Sequence, residues 1–253
     1  MKYLGVIPAK FASKRFPGKL LHSLMGKPVL SWVIEYAQKI DFLSGLLVAT
    51  DDEEIASFVL KNHRDVKVFK NQIPVSCGSQ RILEISKAFP HFGVYITIPA
   101  DEPLVDYKEI NRIKNVLRMN FSGDIATLYT KFYNKEDLES NLSCKIITNR
   151  KDYMLYNSRV VIPIYKDGSR LPLQEYKKHV GLMFFSDYFL YKEGDDLWSD
   201  WHSSMTETEN LEQNRFIDFG ARVQMFEIKH NYFGVDQKWQ IDSLEERYKK
   251  LNS

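Results

Sequence analysis

The sequence lacks the glycine-rich patterns that identify the commonest nucleotide-binding proteins. Neither G-x-x-x-x-G-K-[ST] nor G-x-G-x-x-G occurs among the 253 residues, so there is no Walker-type phosphate loop and a dinucleotide dehydrogenase is disfavoured. Cysteine is also scarce, because only Cys77 and Cys144 are present. Two distant cysteines form neither a disulfide framework nor a metal cluster, and they favour a reducing, cytoplasmic environment.

A strong charge of one sign is also absent. The chain has 35 Lys and Arg against 33 Asp and Glu, a net charge of +2. No general surface for nucleic acid or an anionic membrane is expected, so cationic sites must be local. The N-terminal apolar run is far too short for a signal peptide or a membrane span, and we expect no membrane insertion. The length and the lack of repeats predict a single domain over residues 1–253.

Short apolar runs alternate with segments of helical spacing along the chain. Apolar residues recur at helical intervals in 30–40, 55–59, 82–88 and 107–117, whereas the runs typical of buried strands cover residues 3–7, 46–50, 66–69 and 94–98. Strands that alternate with helices predict an α/β fold with a mainly parallel, doubly wound sheet.

The first apolar run continues into a basic loop. Pro8 ends the predicted strand, and Lys10, Lys14, Arg15 and Lys19 follow within a few residues. Loops at the carboxyl end of the first parallel strand bind nucleotides in open α/β sheets. Cations there, together with backbone N–H groups of a turn, suit phosphate. The alternative is an ordinary solvated basic loop.

Two later loops carry further candidate residues. Gly78 and Ser79 at a helix start offer N–H groups and a hydroxyl to a ligand, although an ordinary helix cap has the same composition. Asp101 follows the strand predicted at 94–98. A carboxylate at that point suits Mg²⁺ against a triphosphate, and the alternative is an Asp that caps the following turn.

The basic loop also carries a family resemblance. Residues 7–19 read I-P-A-K-F-A-S-K-R-F-P-G-K and resemble the I-P-A-R-x-x-S-x-R-x-P-G-K signature of the sugar-acid cytidylyltransferases. Within that family the chain is most similar to the 3-deoxy-manno-octulosonate cytidylyltransferases. The resemblance covers nearly the whole chain, with V-A-T-D-D at 48–52, C-G-S-Q-R at 77–81 for S-G-T-x-R, and P-A-D-E-P at 99–103 for Q-G-D-E-P. It implies a Rossmann-like nucleotidyltransferase fold with helices flanking the sheet and a small substrate and dimerisation lobe within about 144–200.

The resemblance implies a site for CTP and Mg²⁺. The implied catalytic residues are Lys19, Asp101 and Arg15. The implied nucleotide-binding residues are Pro8, Ala9, Lys10, Ser13, Arg15, Lys19, Gly78, Ser79, Arg81 and Ala100. Lys10 replaces the family's Arg, which keeps the charge but loses the planar fork. The second ligand beside Asp101 is either Asp236, in G-V-D, or Asp242, where Ser243 and Glu246 would form a capping box for the terminal helix. Both alternatives remain open.

The acceptor residues also follow from the resemblance. N-S-R-V-V-I-P at 157–163 matches F-S-R-x-x-I-P, K-H-V-G-L at 178–182 matches R/K-H-I-G-I, and L-E-Q-N-R at 211–215 matches L-E-Q-L-R. A helix over 206–215 would place Glu209 and Glu212 on one face. The implied substrate-binding residues are Pro99, Arg159, His179, Glu209, Glu212 and Gln213. Pro99 and Ala100 replace the family's Gln and Gly, which leaves the identity of the acceptor open.

The implied reaction transfers CMP from CTP to a sugar acid and releases pyrophosphate, as a step towards surface polysaccharide or lipopolysaccharide. The family expectation for assembly is a homodimer. One alternative keeps this chemistry with another acceptor: 8-amino-3-deoxy-manno-octulosonate, a nonulosonic acid or a phosphonate. The other alternative is a nucleotide-binding paralogue without turnover.

Overall fold

The computed structural model describes residues 1–11, 16–70, 75, 77–103, 106–120, 123–199, 204–229, 234–235 and 237–251. The chain divides into two compact units. The first unit comprises Met1–Asn111 and Tyr232–Ser253, and the second unit comprises Arg112–Asn231. A single domain over 1–253 and a lobe within about 144–200 stay predictions.

Strands and helices alternate through most of the chain. The strands are β1 Tyr3–Pro8, β2 Ser23–Leu24, β3 Lys27–Pro28, β4 Leu43–Ala49, β5 Lys67–Phe69, β6 Val94–Thr97, β7 Ile125–Lys131, β8 Lys145–Thr148, β9 Met154–Ser158, β10 Lys177–Ser186 and β11 Val223–Glu227. The helices are α1 Val29–Ala37, α2 Glu53–Asn62, α3 Gly78–Ala88, α4 Tyr107–Asn120, α5 Lys135–Glu139, α6 Asp187–Leu197, α7 Ser204–Glu209, α8 Glu212–Asp218 and α9 Trp239–Leu251.

The first unit contains a parallel sheet with the strand order β6-β1-β4-β5. The central strand β1 buries Val6 and Ile7 completely, and the neighbouring β4 buries Val48. Strands that are covered on both faces have continuous apolar sequences, because neither face contacts water. The predicted α/β fold, with a mainly parallel sheet flanked by helices, is confirmed.

The helices of the first unit follow their sequence signals. Leu30, Val33 and Ile34 of α1 are buried, as their spacing predicts. Asp52 caps α2, since its Oδ1 accepts a hydrogen bond from the Ile55 N–H at 2.9 Å. The capping box predicted for the terminal helix is wrong. Helix α9 begins at Trp239, so Ser243 lies inside the helix.

The second unit combines parallel and antiparallel pairs. Strand β7 pairs with β11 in parallel and with β10 in antiparallel orientation, and β10 also pairs with β8. Strands β8 and β9 form an antiparallel pair whose connection includes Asp152 at φ 56°.

The helix predicted over 206–215 is wrong. The segment forms two helices, α7 and α8, which are separated by Asn210 and Leu211. Asn210 has φ 52°, and this left-handed conformation ends a right-handed helix. Leu211 is extended, with φ −121°. Glu209 is therefore the last residue of α7 and Glu212 the first of α8, so they do not share one continuous helical face.

Among the described helices, none has both the length and the hydropathy that crossing a membrane requires.

Candidate functional site

The carboxyl end of β1 carries the first nucleotide-site candidates. Pro8 is the last residue of β1, and the Ala9 N–H donates to the Ala49 carbonyl at 2.8 Å, which extends the pairing with β4. Ala9 is buried, whereas Lys10 is exposed. The candidates Ser13 and Arg15 lie outside the described residues.

A tight turn positions Lys19. The Gly18 N–H donates to the Phe11 carbonyl at 3.3 Å, and the Lys19 N–H donates to the Phe16 carbonyl at 3.3 Å. Gly18 has φ 69°, a conformation that glycine adopts without steric cost. A Cβ at this position would also lie 3.6 Å from the Phe11 ring. The positive φ therefore favours glycine at position 18, and the Lys19 that follows supplies the charge.

Lys19 and Asp101 form an ion pair between Nζ and Oδ2. The Lys19 side chain is 11% exposed and that of Asp101 is 33% exposed. Asp101 follows β6, whose neighbour in the sheet is β1. The structure therefore brings together a cation from the loop after β1 and a carboxylate from the loop after β6.

The segment before α9 contacts Asp101. The Val235 N–H donates to the Asp101 carbonyl at 2.8 Å, and the Cβ position of Gly234 lies 3.7 Å from the same oxygen. Asp236 lies outside the described residues. Asp242 is exposed in the first turn of α9.

Helix α3 begins close to Pro8. The Cβ position of Gly78 lies 3.6 Å from Pro8 Cγ. Cys77 occupies the N-cap position without a side-chain cap, and its Sγ lies 3.6 Å from Ser79 Oγ. A helix N-terminus at the carboxyl edge of a parallel sheet is a favourable position for phosphate.

Arg81 is a buried cation in the same helix. Its side chain is 2% exposed, and Nη2 lies 3.5 Å from Asp51 Oδ1. Within the described residues, Nη1 has no hydrogen-bond partner. A buried guanidinium with an unsatisfied donor favours an additional anionic partner. Ala100 is buried and Pro99 partly buried in the loop after β6.

We searched the part of the chain that the structure describes for clustered metal ligands. No group of three or more His, Cys, Asp or Glu side chains is placed to hold a metal ion there. Asp101 offers hard carboxylate oxygens with part of their surface exposed, so it fits as one ligand of Mg²⁺.

In the second unit, Arg159 and Glu209 are hydrogen-bonded to each other and to main-chain groups. The Glu209 carboxylate accepts from the Ser158 hydroxyl at 2.9 Å, from the Tyr156 hydroxyl at 3.1 Å and from the Arg159 N–H. The Arg159 guanidinium donates to the carbonyls of Glu209 at 2.7 Å, Asn141 at 3.0 Å and Asn210 at 3.4 Å. These contacts join the residue after β9 to the end of α7. Contact of either side chain with the substrate stays a prediction.

Lys145 completes this bracing, and sequence reasoning missed it. The residue is fully buried, and its ammonium donates to the carbonyls of Ser140 at 2.6 Å, Ser143 at 2.7 Å and Arg159 at 2.8 Å. Burial lowers the pKa of Lys145. The available signal in the sequence was a lysine directly before two apolar residues, Ile146 and Ile147.

His179 on β10 is held as a neutral ring. Its Nε2 lies 3.0 Å from Thr127 Oγ1. Because the Thr127 hydroxyl donates to the Leu182 carbonyl at 2.7 Å, Nε2 carries the proton and Nδ1 is an acceptor. Burial lowers the pKa of His179 to about 4. A neutral ring can accept a hydrogen bond from a substrate hydroxyl through Nδ1.

Gln213 is buried near the start of α8, whereas Glu212 is partly exposed. Gln213 Oε1 accepts from Asn157 Nδ2 at 3.4 Å, and Gln213 Nε2 lies 3.8 Å from Met183 Sδ. Asn157 is a further residue that sequence reasoning did not single out.

Comparison with known proteins identifies the family. The model of the cytidylyltransferase family matches residues 4–224. The chain is 31% identical to the 3-deoxy-manno-octulosonate cytidylyltransferase of Fusobacterium nucleatum subsp. nucleatum, over 100% of this chain and 99% of the relative. It is 35% identical to the Bdellovibrio bacteriovorus protein of the same name, over 97% of each chain.

Solved structures agree with this result. The structure of CMP:2-keto-3-deoxy-manno-octonic acid synthetase complexed with CTP superposes with a TM-score of 0.86 and 25% identity, over 99% of both chains. The 4-diphosphocytidyl-2C-methyl-D-erythritol synthase of Anaerococcus prevotii shares the fold, with a TM-score of 0.63 and 14% identity over 98% of this chain and 99% of the other. This chain belongs to the cytidylyltransferases, a family of nucleotidyltransferase enzymes.

Proposed function

We propose that this chain transfers CMP from CTP to 3-deoxy-manno-octulosonate or a closely related sugar acid and releases pyrophosphate. The observation that carries the proposal is the Lys19–Asp101 pair at the carboxyl edge of the parallel sheet. The full-length similarity to relatives with the corresponding name supports the choice of nucleotide and acceptor.

The reaction is an in-line displacement at the α-phosphorus. The anomeric hydroxyl oxygen of the sugar acid forms the new bond to the α-phosphorus as its proton passes to solvent. The bond from that phosphorus to the oxygen bridging to the β-phosphorus breaks, and pyrophosphate leaves with the electron pair. Positioning and neutralisation of charge provide most of the catalysis in such a transfer. Lys19 and Arg81 supply positive charge for the triphosphate, and Gly78 and Ser79 supply the N-terminus of α3. The further phosphate contacts that we propose come from Lys10, Ser13 and Arg15.

Mg²⁺ fits this proposal as the cofactor. Asp101 would hold it through a carboxylate oxygen, and the bound ion would neutralise part of the triphosphate charge. We propose Asp236 as the second ligand, because the preceding residue, Val235, donates to the Asp101 carbonyl. Asp242 is the alternative, although its exposed position in α9 offers it less support.

The residues that we propose for the acceptor are those that the resemblance implies, Pro99 among them. We propose that His179 Nδ1 accepts from a sugar hydroxyl and that Glu212 and Gln213 bind the remaining polar groups of the acid. We also propose that Arg159 and Glu209 belong to the acceptor site. Their described hydrogen bonds to each other support a structural role there. A homodimer and a role in lipopolysaccharide precursor synthesis are part of the same proposal.

The test is pyrophosphate release from CTP and Mg²⁺ with a panel of acceptors. The panel contains 3-deoxy-manno-octulosonate, its 8-amino derivative, a nonulosonic acid and a phosphonate. Release with 3-deoxy-manno-octulosonate, abolished by EDTA and restored by Mg²⁺, would support the proposal. Release with another acceptor alone would keep the CMP transfer and reassign the acceptor. Binding of CTP without release from any acceptor would overturn the proposal in favour of a paralogue without turnover.

A further inference from the structure

Three buried amide side chains meet where β9 contacts α8 in the second unit. Asn157, Gln213 and Asn214 form this amide cluster, and all three residues are buried. Two of them depart from the motifs that their segments resemble. Asn157 replaces the Phe of F-S-R-x-x-I-P, and Asn214 replaces the second Leu of L-E-Q-L-R. The chain thus has two buried amides where the motifs have two apolar side chains.

The Asn214 side chain forms hydrogen bonds with the main-chain N–H and carbonyl of Asn157. The Asn157 N–H donates to Asn214 Oδ1 at 3.1 Å, and Asn214 Nδ2 donates to the Asn157 carbonyl at 2.9 Å. A primary amide with this geometry takes the place of the peptide group of a neighbouring strand. Because buried N–H and C=O groups require partners, the two bonds fix residue 157 of β9 against α8.

The Asn157 side chain is bonded on one side only. Its Nδ2 donates to Gln213 Oε1 at 3.4 Å. Its Oδ1 is buried and has no hydrogen-bond partner in the part of the chain that the structure describes. An unsatisfied buried oxygen is unfavourable, and an apolar side chain of similar shape would avoid it. The amide of Asn157 is therefore expected to have a role that offsets the cost of its unsatisfied oxygen. Its bond to Gln213 suggests that role.

Gln213 is oriented by this bond. With Oε1 occupied by Asn157, its Nε2 is directed to Met183 Sδ at 3.8 Å. A thioether sulfur is a weak acceptor, so the two N–H donors of Gln213 would bond more strongly to a carboxylate or hydroxyl oxygen. A sugar acid provides both kinds of oxygen.

We propose that Asn157 is a positioning residue for acceptor recognition. Asn214 fixes its main chain, and its own amide holds Gln213 so that Nε2 donates to an oxygen of the sugar acid. This inference rests on the proposed function, in which Gln213 contacts the acceptor.

The test uses Asn157→Leu, which removes the amide but keeps the two main-chain bonds to Asn214. We expect the KM for the sugar acid to rise about tenfold, the loss of one hydrogen bond to a charged group. The KM for CTP should change by less than about twofold, since the side-chain bond that the structure describes for Asn157 goes to Gln213, a proposed acceptor residue. The melting temperature should stay equal or rise, because Leu removes the unsatisfied oxygen.

A role in packing alone would lower the melting temperature and would not separate the two KM values. Should the Leu variant not fold, Asn157→Ala replaces it for the comparison of the two KM values, although its cavity is expected to lower the melting temperature.

A double-mutant cycle with Gln213→Leu tests whether Asn157 acts through Gln213. The double variant should have the same acceptor KM as Gln213→Leu alone, and additive effects would overturn the inference. Asn134→Ala is the matched control. It loses the cap of α5, in which Asn134 Oδ1 accepts from the Asp137 N–H at 2.7 Å. It should lower the melting temperature without changing either KM.

The two hypotheses fail in distinguishable ways. If the wild-type chain releases no pyrophosphate with any sugar acid, the proposed function is overturned and this inference with it. If the wild type turns over and Asn157→Leu leaves the acceptor KM unchanged, the inference alone is overturned.

Discussion

The Lys19 ammonium and the Asp101 carboxylate form an ion pair across 82 positions of the sequence. The Gly18 turn fixes the cation, and the Val235 N–H fixes the main chain of Asp101. Each charge neutralises the other in this pair. A complex of a triphosphate with a divalent metal ion would offer phosphate oxygens to Lys19 and the metal ion to Asp101, and both carry more charge than the present partner. This relationship leads to the first two predictions.

Asp101→Asn should abolish turnover and leave the fold intact. We expect kcat to fall at least about 100-fold, because the amide cannot supply the charge that holds a divalent metal against the triphosphate. The free energy of unfolding should change by less than about 1 kcal/mol, because a partly exposed ion pair contributes little to stability. Pyrophosphate release and urea denaturation measure the two quantities.

The matched control for Asp101 is Asp106→Asn. Asp106 Oδ1 accepts from the N–H groups of Lys108 at 2.9 Å and Glu109 at 3.4 Å at the start of α4. Asn caps a helix about as well as Asp, so activity and stability should both be preserved. Near wild-type turnover of Asp101→Asn would contradict the role assigned to this carboxylate.

Lys19→Met should weaken the binding of CTP. We expect its KM for CTP to rise at least about tenfold, since one charge-assisted bond to phosphate is lost. Lys70→Met is the matched control, because Lys70 forms an exposed ion pair with Glu53 in the same unit. Steady-state kinetics with varied CTP distinguishes the two variants. An equal effect of both substitutions would indicate a general charge effect in place of a specific site.

His179 should make the protein less stable in acid. Its pKa is lowered to about 4 in the folded chain, against 6.5 for a free side chain. Below pH 6.5 the unfolded chain binds a proton that the folded chain does not, so the free energy of unfolding falls as the pH is lowered towards 4. The full loss is about 3 kcal/mol.

Urea denaturation at pH 7 and pH 4.5 measures this effect. His179→Gln should lose less stability between the two values than the wild type. His91→Gln, which changes an exposed histidine, should behave like the wild type. An identical pH dependence of His179→Gln and wild type would show that other groups cause the acid sensitivity.

Arg159→Lys should destabilise the second unit. The guanidinium donates to three carbonyls, and an ammonium on a different stem cannot reproduce that fork. We expect the free energy of unfolding to fall by about 2 kcal/mol. Arg170→Lys, at an exposed pair with Glu139, should change it by less than about 0.5 kcal/mol. A stable Arg159→Lys variant with a raised acceptor KM would assign Arg159 to the substrate instead.

Local signals correctly predicted the parallel sheet and several of its helices. Buried apolar runs such as β1 depend on neighbours in sequence, so composition and spacing reveal them. The prediction of one helix over 206–215 was wrong because the charge pattern contains no signal for the left-handed conformation of Asn210. The prediction of a terminal capping box was wrong because α9 begins before Ser243. Ile241, near the start of that helix, belongs to a buried core cluster with Leu24 and Trp32.

The sequence by itself determined the fold class, the Gly18 turn and the residue types offered to phosphate, since these follow from local backbone preferences and from motif order. Only the tertiary structure decided which distant groups become partners. Lys145 binds three carbonyls, Glu209 binds Ser158, and Asn214 binds the main chain of Asn157. The reason is physical: a buried polar group must find a hydrogen-bond partner in space, and folding, rather than the spacing of residues along the chain, brings those partners within reach.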